Sequence, residues 1–461
     1  MDCIDMLVLS WSGGVGSIGN HHPHSPEETC HYQEHPLRRK RGISANLPSQ
    51  ILYRQLSRFR RDIRTALLGL GLVFALAAVL LLVSAAIYSP TYMLRILMNG
   101  ESKITDYRIF PERVIAASDR PYIYEIRELK ALPESGIDYR SGGKDKTTPL
   151  QALLENNGTT SCIVIHDDRI VYEAYFNGHG PDSVETSFSS VKSIDSLLIG
   201  MAIEDGFIGG VQDPISRYLP ELADTPFSDI TIEQLLMMRS KIKYVEGFAW
   251  FSDDAKTYYM PELRKLALEG LRPDSGYSGK LHYNNYHPLL LGLILERATD
   301  MRVADYFQWK IWRKTGAGHD ASWSLDGEAS GFEKMESGLN FRSVDFAKIG
   351  SMLLHGGEWN GYPVVSKDWI TTSTISPQLL GKSDTDSDFF SAGDIGYRYM
   401  WYSIQNSAGG HDFFAAGKYG QYLYVSPEND TVIVRTGYSE GSVDWWPDVL
   451  RQTAELAQEL D

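Results

Sequence analysis

Thr186–Lys192, with the sequence Thr-Ser-Phe-Ser-Ser-Val-Lys, is the stretch around which the rest of the chain is organised. The residues that follow, up to Asp205, contain no proline, and apolar side chains recur three and four positions apart. The apolar positions are Val191, Ile194, Leu197, Leu198, Met201 and Ala202. This spacing predicts a helix with one buried face.

Ser189 and Lys192 are three positions apart at the predicted start of this helix. Their side chains therefore lie one turn apart on one face, with the positive end of the helix dipole behind the hydroxyl. An amine in a partly desolvated site can take the proton of a neighbouring serine, so the pair predicts a nucleophile with its own base. A helix-capping serine beside a surface lysine is the alternative that the pair alone leaves open. The same spacing at Ser141 and Lys144 lies in a glycine-rich, charged stretch with no helix after it, and we interpret it as a loop.

The composition limits the class of protein. The chain has 461 residues, of which 43% are hydrophobic, and a formal net charge of -15, so it can bury a core and is not suited to nucleic acid. Cys3 and Cys30 lie in the N-terminal tail and Cys162 in the body, which excludes a disulfide within the globular part. The sequence contains neither the His-Glu-x-x-His string of zinc hydrolases nor the Gly-x-Ser-x-Gly elbow of α/β-hydrolases. We expect a protein without a metal or another cofactor.

Residues 65–88 have the pattern of a membrane span. No residue from Thr65 to Tyr88 is charged, and 24 residues at about 1.5 Å each give about 36 Å, enough to cross a bilayer. Residues 1–64 hold nine Lys or Arg against six Asp or Glu, and we predict a basic, disordered cytoplasmic tail. The positive-inside rule then predicts a single-pass anchor in the inner (cytoplasmic) membrane, with the body on the extracytoplasmic side. A cleaved signal peptide is the alternative, but its apolar region would be too long.

The body, residues 151–461, follows a polar connector at residues 89–150. It opens with two strand-like runs, Ser161–His166 and Arg169–Tyr175, separated by two aspartates. Aspartate pairs of this kind occur in tight turns, so the two runs predict a β-hairpin.

Strand signals return near the C-terminus, after a mostly helical middle at about 192–380. They are at residues 397–402, 421–425 and 430–435. Strands at both ends with helices between them predict an α+β fold. We expect one antiparallel sheet, closed by the first and last segments of the body and flanked by helices, with an all-helical lobe inserted.

A second candidate site motif is Tyr283-Asn284-Asn285. It lies just before the apolar helix at 289–296 and just after a glycine-rich turn. A phenol on such a turn can relay a proton to a leaving group, and the amide of Asn285 can hold the lysine and a substrate carbonyl.

The third motif is chosen between two strings. Lys314-Thr315-Gly316 ends a helical run, where the glycine is typical of a helix stop, and we reject it. Lys418-Tyr419-Gly420 lies between an apolar run and the strand at 421–425. A cation and Gly420 at a sheet edge allow backbone N–H groups to approach a substrate closely. The N–H of Gln421 is predicted to pair with that of Ser189 as the oxyanion hole.

Three motifs in the order Ser-x-x-Lys, Tyr-x-Asn and Lys-x-Gly are jointly specific. On these residues the chain, over about 105–461, resembles the serine β-lactamase and penicillin-binding hydrolase family, in its class C form. Further stretches look most like the 6-aminohexanoate-dimer hydrolase and esterase-like members. These are residues 200–206, 213–220, 235–240 and 338–350. The chain departs from the family at Lys241, where a glycine is usual, and in the third motif, which varies among relatives.

The resemblance implies an antiparallel sheet with flanking helices beside an all-helical lobe, and a site in the cleft between them. It implies cleavage of a small-molecule or peptide amide or ester through an acyl-enzyme on Ser189, with Lys192 and Tyr283 as general base and acid. A penicillin-recognising D-Ala-D-Ala peptidase or a β-lactamase is the alternative within the enzyme class. A non-catalytic ligand-binding module of the same fold is the alternative from another class, and the three intact residues disfavour it.

Overall fold

A computed structural model of the chain describes residues 47–247, 249–274, 276, 279–375, 380, 395–406 and 409–461. The chain divides into two compact units, Met1–Ala75 and Leu76–Asp461. The division falls within the first helix, α1 (Leu47–Tyr88). The second unit contains the predicted connector and body.

α1 holds one segment, Leu52–Tyr88, that is long and apolar enough to cross a membrane by length and composition. It has 37 residues and a mean hydropathy of 2.9, and it includes the predicted span at 65–88. Most of the tail that we predicted to be disordered lies outside the described residues. Residues 47–64 of that tail are helical, which corrects the prediction. Leucine, arginine and glutamine favour helix there, and neither proline nor glycine interrupts the stretch between Pro48 and Gly69.

The helices of the second unit lie mostly between residues 191 and 374. They are α2 (Pro90–Asn99), α3 (Leu150–Asn156), α4 (Val191–Glu204), α5 (Ile232–Leu236), α6 (Asp253–Tyr259), α7 (Leu263–Glu269), α8 (Tyr286–Thr299), α9 (Val303–Phe307), α10 (Ser343–Leu354), α11 (Lys367–Thr374) and α12 (Trp446–Leu460). A π-helix at Gln308–Trp312 continues α9. The predicted helix after Ser189 is α4, which packs against α8 and is buried along most of its length.

The strands form one large and several small sheets. They are β1 (Glu112–Ile115), β2 (Glu125–Ile126), β3 (Gly136–Ser141), β4 (Lys144–Pro149), β5 (Thr159–His166), β6 (Arg169–Tyr175), β7 (Glu185–Thr186), β8 (Ala321–Ser324), β9 (Leu339–Phe341), β10 (Glu358–Trp359), β11 (Tyr362–Pro363), β12 (Ile395–Arg398), β13 (Trp401–Gln405), β14 (His411–Gly417), β15 (Gln421–Ser426) and β16 (Thr431–Gly437). The eight-stranded sheet has the order β12-β13-β14-β15-β16-β5-β6-β2. Because β16 pairs with β5, the first and last segments of the body close one sheet, and the predicted α+β fold is confirmed.

The predicted hairpin at the start of the body is β5 and β6, which pair antiparallel. Asp167 and Asp168 between them both have positive φ, at 48° and 57°, as a two-residue hairpin turn requires. The strand predicted at 397–402 is wrong as a single element. Tyr399 and Met400 have φ of 45° and 65°, so the chain turns there and forms the hairpin of β12 and β13.

The connector and the helical insertion contribute strands that the sequence did not predict. β1 pairs with β8 in a four-stranded sheet of order β1-β8-β9-β7, and β2 lies at the edge of the large sheet. Ser141 and Lys144 flank the turn of the β3–β4 hairpin rather than an unstructured loop. These strands have two to six residues, too short for an alternating pattern to stand out.

Buried His287, on the first turn of α8, reports on the stability of this region. Its Nε2 lies 2.6 Å from Ser240 Oγ, and burial lowers its pKa to about 3. Between pH 6.5 and about 3, the His287 imidazole therefore stays unprotonated in the folded protein. In the unfolded chain, where a histidine pKa is near 6.5, it takes up a proton over this range.

We expect His287 to make the protein less stable as the pH falls from about 6.5 towards 3. The contribution of His287 to the free energy of unfolding is fully present above pH 6.5. Below that pH it falls by up to about 1.4 kcal/mol per pH unit, which amounts to about 2 kcal/mol at pH 5. Urea unfolding of wild type and His287→Gln at pH 7.5 and pH 5 measures this, because the variant lacks the titrating group. Identical losses of unfolding free energy in the two proteins would contradict it.

Candidate active site

Ser189 lies in a short 3₁₀ turn, Phe188–Ser190, directly before α4. Phe188 has a φ of 43°, an uncommon conformation for a bulky residue and one that is found at functional sites. Ser190, at the N-cap position of α4, makes no side-chain capping bond, and its Oγ donates to Ser187 O over 2.8 Å. The hydroxyl of Ser189 instead faces a lysine, so the helix-capping alternative does not describe it.

Lys192 has two hydrogen-bond partners in this site. Its Nζ donates to Ser189 Oγ over 2.6 Å and to Glu336 O over 2.9 Å. The lysine is only 2% exposed, and its Nζ lies 4.9 Å from the centre of the Tyr283 ring. The first two predicted motifs therefore meet around one buried amine.

Tyr283 is connected to the large sheet through Tyr402 of β13. Burial, followed by the charges of Tyr283 and Tyr397, raises the pKa of Tyr402 well above its usual value of 10, and a side-chain hydrogen bond joins Tyr402 to Tyr283. Tyr402 thus helps to orient the phenol beside Lys192. The sequence analysis missed this residue because an aromatic residue on a strand is usually core.

A group of buried charges lies around Lys192. Lys334 Nζ donates to Glu336 Oε1 over 2.7 Å, and burial lowers the pKa of Lys334 despite the opposing charge of Glu336. Burial also raises the pKa of Asp195 well above its usual value, against the attraction of Lys192. Neither carboxylate oxygen of Asp195 has a partner among the described residues. The sequence analysis missed all three residues, although Asp195 is one further helical turn from Ser189 and Lys192.

Asn285 lies near the site, but its amide binds Tyr244 and not Lys192. The prediction that Asn285 holds the lysine is therefore wrong. Its Nδ2 donates to Tyr244 OH over 2.7 Å, while its buried Oδ1 has no partner among the described residues. The carbonyl of Glu336 takes the place that we had assigned to Asn285.

Lys418 lies in the turn between β14 and β15 and is partly buried. Its Nζ donates to Glu101 Oε1 over 2.8 Å and to Ser102 Oγ over 3.0 Å. These two residues belong to the segment that follows α2, so the third predicted motif contacts a part of the chain that the sequence analysis treated as connector.

Gly417, the last residue of β14, makes the close backbone approach to the turn that carries Ser189. Gly420, which we predicted to let backbone N–H groups approach a substrate, does not make this contact. A Cβ on Gly417 would lie 3.0 Å from Ser190 N and 3.1 Å from Ser189 N, and it would collide with Ser187 O. Gly420, with a φ of 78°, lies against the guanidinium of Arg435 instead. The side chain of buried Gln421 donates to Gly437 O over 2.6 Å. The sequence Ala-Ala-Gly at 415–417 has no lysine, so a search for Lys-x-Gly passed over it.

A cavity of about 350 Å³ opens beside Ser189. Its lining residues come from all three motifs, from α6 and from the segment around α2. They include Ile96, Glu101, Phe188, Ser189, Asp254, Tyr258, Tyr259, Tyr283, Asn285, Glu336 and Lys418. Gly420, Gln421 and Lys314 are not among the lining residues. Within the described part of the chain, no group of three or more His, Cys, Asp or Glu side chains could hold a metal ion.

Fold and site together define a class of protein. The large sheet is antiparallel except where its edge strand β2 pairs parallel with β6. Such a sheet with flanking helices and an inserted helical region, together with a serine bonded to a buried lysine at the start of a helix, describes a serine hydrolase of the β-lactamase and transpeptidase type.

Comparison with known proteins gives the family. A sequence profile described as Beta-lactamase matches residues 151–444, more than half of the chain, so the protein belongs to this family. The curated 6-aminohexanoate-dimer hydrolase of Paenarthrobacter ureafaciens is 28% identical over 311 residues, which cover 65% of this chain and 76% of that protein. The chain is thus a serine amidase or esterase by family.

Solved structures agree on the fold. A chain from Bacillus anthracis, provisionally described as a 6-aminohexanoate-dimer hydrolase, superposes with a TM-score of 0.67 at 22% identity, covering 78% of this chain and 93% of that one. A penicillin-binding protein homologue from Pyrococcus abyssi gives a TM-score of 0.53 at 18% identity, with 67% and 76% covered. The class of fold implied by the sequence resemblance is confirmed.

Proposed function

We propose that this protein is a membrane-anchored serine hydrolase that cleaves an amide or ester through an acyl-enzyme on Ser189. One observation carries the proposal. Lys192 Nζ lies 2.6 Å from Ser189 Oγ and donates to Glu336 O on its other side, and the lysine is only 2% exposed. A nucleophile and a base at this distance meet the geometric requirement for activation.

In the acylation step, Lys192 acts as the general base. It donates one N–H to Glu336 O and accepts the Ser189 proton through its lone pair, while Ser189 Oγ attacks the substrate carbonyl. Negative charge develops on the carbonyl oxygen, and two backbone N–H groups stabilise it. We assign the first N–H donor to Ser189 and the second to the backbone at Gly417 and Lys418. Tyr283 then gives a proton to the leaving amine or alcohol, and it regains one from the ammonium of Lys192.

Deacylation runs through the same groups in the opposite direction. The departure of the leaving group opens a place for water at the ester carbonyl. Tyr283 takes one proton from the attacking water and passes its own phenolic proton to Lys192, and Lys192 gives a proton to Ser189 Oγ as the acyl–oxygen bond breaks. The product is a carboxylic acid, and the site regains its starting protonation state.

A linear amide or ester is the substrate class that we propose. The cavity holds about 350 Å³, and Asn285 is one of its lining residues. The relative from Paenarthrobacter ureafaciens is described as acting on the 6-aminohexanoate dimer, a short linear amide. The description of this relative is what favours such a substrate over a β-lactam or a D-Ala-D-Ala peptide.

A substrate panel tests the function. The full chain in detergent is assayed with p-nitrophenyl acetate, the 6-aminohexanoate dimer, nitrocefin and a D-Ala-D-Ala peptide, in parallel with covalent labelling by a fluorophosphonate. We expect labelling and turnover of the ester or the linear amide. Selective turnover of nitrocefin or of the peptide would support the penicillin-recognising alternatives. A stable adduct without turnover of any compound would support a ligand-binding module.

Gly417→Ala is expected to lower kcat by about 10²–10³, the usual cost of losing one oxyanion donor. The new Cβ must displace the backbone at Ser187–Ser190, and with it the N–H of Ser189. Steady-state kinetics on the ester and a thermal melt measure the effect. Gly210→Ala is the matched control, because a Cβ there meets nothing within 4 Å. Equal activities of Gly417→Ala and Gly210→Ala would contradict the assignment of Gly417 to the oxyanion hole.

The anchor is proposed to be single-pass, in the inner membrane, with the body on the extracytoplasmic side. The uncharged run at 65–88 follows nine basic residues, which favours a cytoplasmic N-terminus. A C-terminal alkaline phosphatase fusion is expected to be active and a C-terminal green fluorescent protein fusion dark. The reverse pattern would place the body in the cytoplasm.

A further inference from the structure

α2 begins two residues after the apolar segment of α1 ends. Ser89 separates the two helices, and its Oγ accepts from Tyr92 N over 3.2 Å as the cap of α2. Ala85 and Tyr88, in the last turn of α1, pack against the same cluster as Tyr92, and the Tyr88 and Tyr92 rings are 5.9 Å apart. α2 is therefore fixed directly at the end of the predicted membrane span.

The inner face of α2 is bound tightly to the catalytic body. Tyr92 and Met93 are buried, and Tyr92 OH donates to Trp250 O. Arg95 Nη1 donates to Tyr259 O over 3.0 Å and to Asp326 O over 2.7 Å. The helix is thus part of the body and keeps a constant position relative to it.

The outer face of α2 is apolar and exposed. Leu94, Leu97 and Met98 are each more than half exposed, and Phe251, beside Trp250, is exposed to a similar degree. A surface helix of a soluble protein normally shows polar residues on its outer face. Apolar side chains on a short helix that directly follows a membrane span match the pattern of an interfacial helix.

The same helix borders the catalytic cavity. Ile96, Gly100 and Glu101 line the cavity together with Ser189. Glu101 is bonded to Lys418, and Tyr419 OH donates to Ser102 O over 2.6 Å, so the segment after α2 joins the body on two sides. α2 and the residues directly after it therefore have an exposed apolar face on one side and form a wall of the cavity on the other.

We propose that the apolar face of α2 lies in the lipid interface and that the cavity beside it takes an amphiphilic acyl amide or ester from the bilayer. The occupant of this face is the lipid surface, since α2 continues directly from the membrane span. The inference rests on the proposed function for its substrate part. Phe188, Tyr258 and Tyr259 supply the apolar wall for an acyl chain, and the Lys418–Glu101 pair supplies a polar rim for its head.

Membrane contact is tested without any use of activity. Leu97→Cys is labelled with a nitrobenzoxadiazole fluorophore in full-length Cys3→Ser/Cys30→Ser protein in phosphatidylcholine vesicles. Cys162 can remain, because it is buried and burial raises its thiol pKa to about 12. We expect brominated lipids to quench the fluorescence of the label at position 97, and we expect aqueous iodide not to quench it. Phe207→Cys, at another partly exposed apolar position, is the control and is expected to show the reverse. Iodide quenching of both labels, or shielding of the Leu97 label from both quenchers by a second copy of the chain, would overturn the membrane contact.

The substrate part is tested with two esters in the same vesicles, soluble p-nitrophenyl acetate and membrane-partitioning p-nitrophenyl decanoate. For Leu94→Ser/Leu97→Ser/Met98→Ser we expect kcat/KM on the decanoate to fall by about tenfold and that on the acetate to stay within about twofold. Phe207→Ser is expected to change neither. Equal effects on the two esters would overturn the inference and leave the proposed function standing. A wild type that hydrolyses neither ester and is not labelled at Ser189 would overturn both.

Discussion

Ser189→Ala is expected to abolish covalent labelling by a fluorophosphonate and to lower kcat by about 10⁴-fold or more, as the loss of a nucleophile does in other serine hydrolases. The alanine removes the only atom that can form the acyl-enzyme in this mechanism. The fold should remain, because the Ser189 hydroxyl contacts Lys192 in the described residues, while its neighbour Ser190 supports the turn through Ser187 O. Labelling, ester kinetics and a thermal melt are measured on the same preparation.

Ser141→Ala is the matched control for this prediction. Ser141 also has a lysine as a neighbour, since Lys146 Nζ donates to Ser141 Oγ over 2.9 Å. That pair lies on the exposed β3–β4 hairpin, and neither residue lines the cavity beside Ser189. We expect unchanged labelling and turnover. Equal labelling of wild type and Ser189→Ala, or loss of labelling in Ser141→Ala, would show that the nucleophile is assigned wrongly.

Lys192→Met is expected to lower kcat/KM by about 10²–10⁴, the contribution of a positioned general base. Methionine matches the unbranched stem of lysine and fits a site that is almost fully buried, so packing is largely kept. Leaving Glu336 O without its donor costs about 1–3 kcal/mol of stability. Kinetics as a function of pH, with the melting temperature, separate the loss of the base from the loss of the fold. Added methylamine should restore part of the activity of Lys192→Ala, which has room for it.

Lys314→Met is the control for the lysine. Burial, followed by the charge of Lys310, lowers the pKa of Lys314, so it shares one property of a catalytic base. It lies after the π-helix, in the Lys-Thr-Gly string, and does not line the cavity. We expect turnover within a few-fold of wild type. An inactive Lys314→Met beside an active Lys192→Met would reverse the assignment of the base.

The order of elements and the first motif could be predicted from the sequence because both are local. The apolar spacing after Ser189 specifies a helix, and three positions place Lys192 on the same face as Ser189. The Asp167–Asp168 turn and the β5–β6 hairpin depend on neighbouring residues alone. Tyr283 could be found because tyrosine and asparagine before an apolar helix form a recognisable string, and the structure does bring its ring to Lys192.

The rest of the site depends on contacts between distant segments. Gly417, rather than Gly420, approaches Ser189 because β14 packs against the turn that carries the serine, and the absence of a Cβ matters only once the two backbones meet. Likewise, a glutamate at 336 looks like any surface charge until the fold places its carbonyl against the lysine and buries its side chain with Lys334.

The sequence by itself determined the class of fold, the helix with its serine and lysine, and an apolar run long enough for a membrane span. Propensity, periodicity and turn chemistry act over a few residues, so they can be recognised in a linear string. Only the tertiary structure decided which glycine lies behind Ser189, which carbonyl accepts a hydrogen bond from Lys192, and that the segment after α1 forms a wall of the cavity. These depend on burial and on backbone approach between segments that are far apart in the sequence, and no local pattern encodes the distance between them.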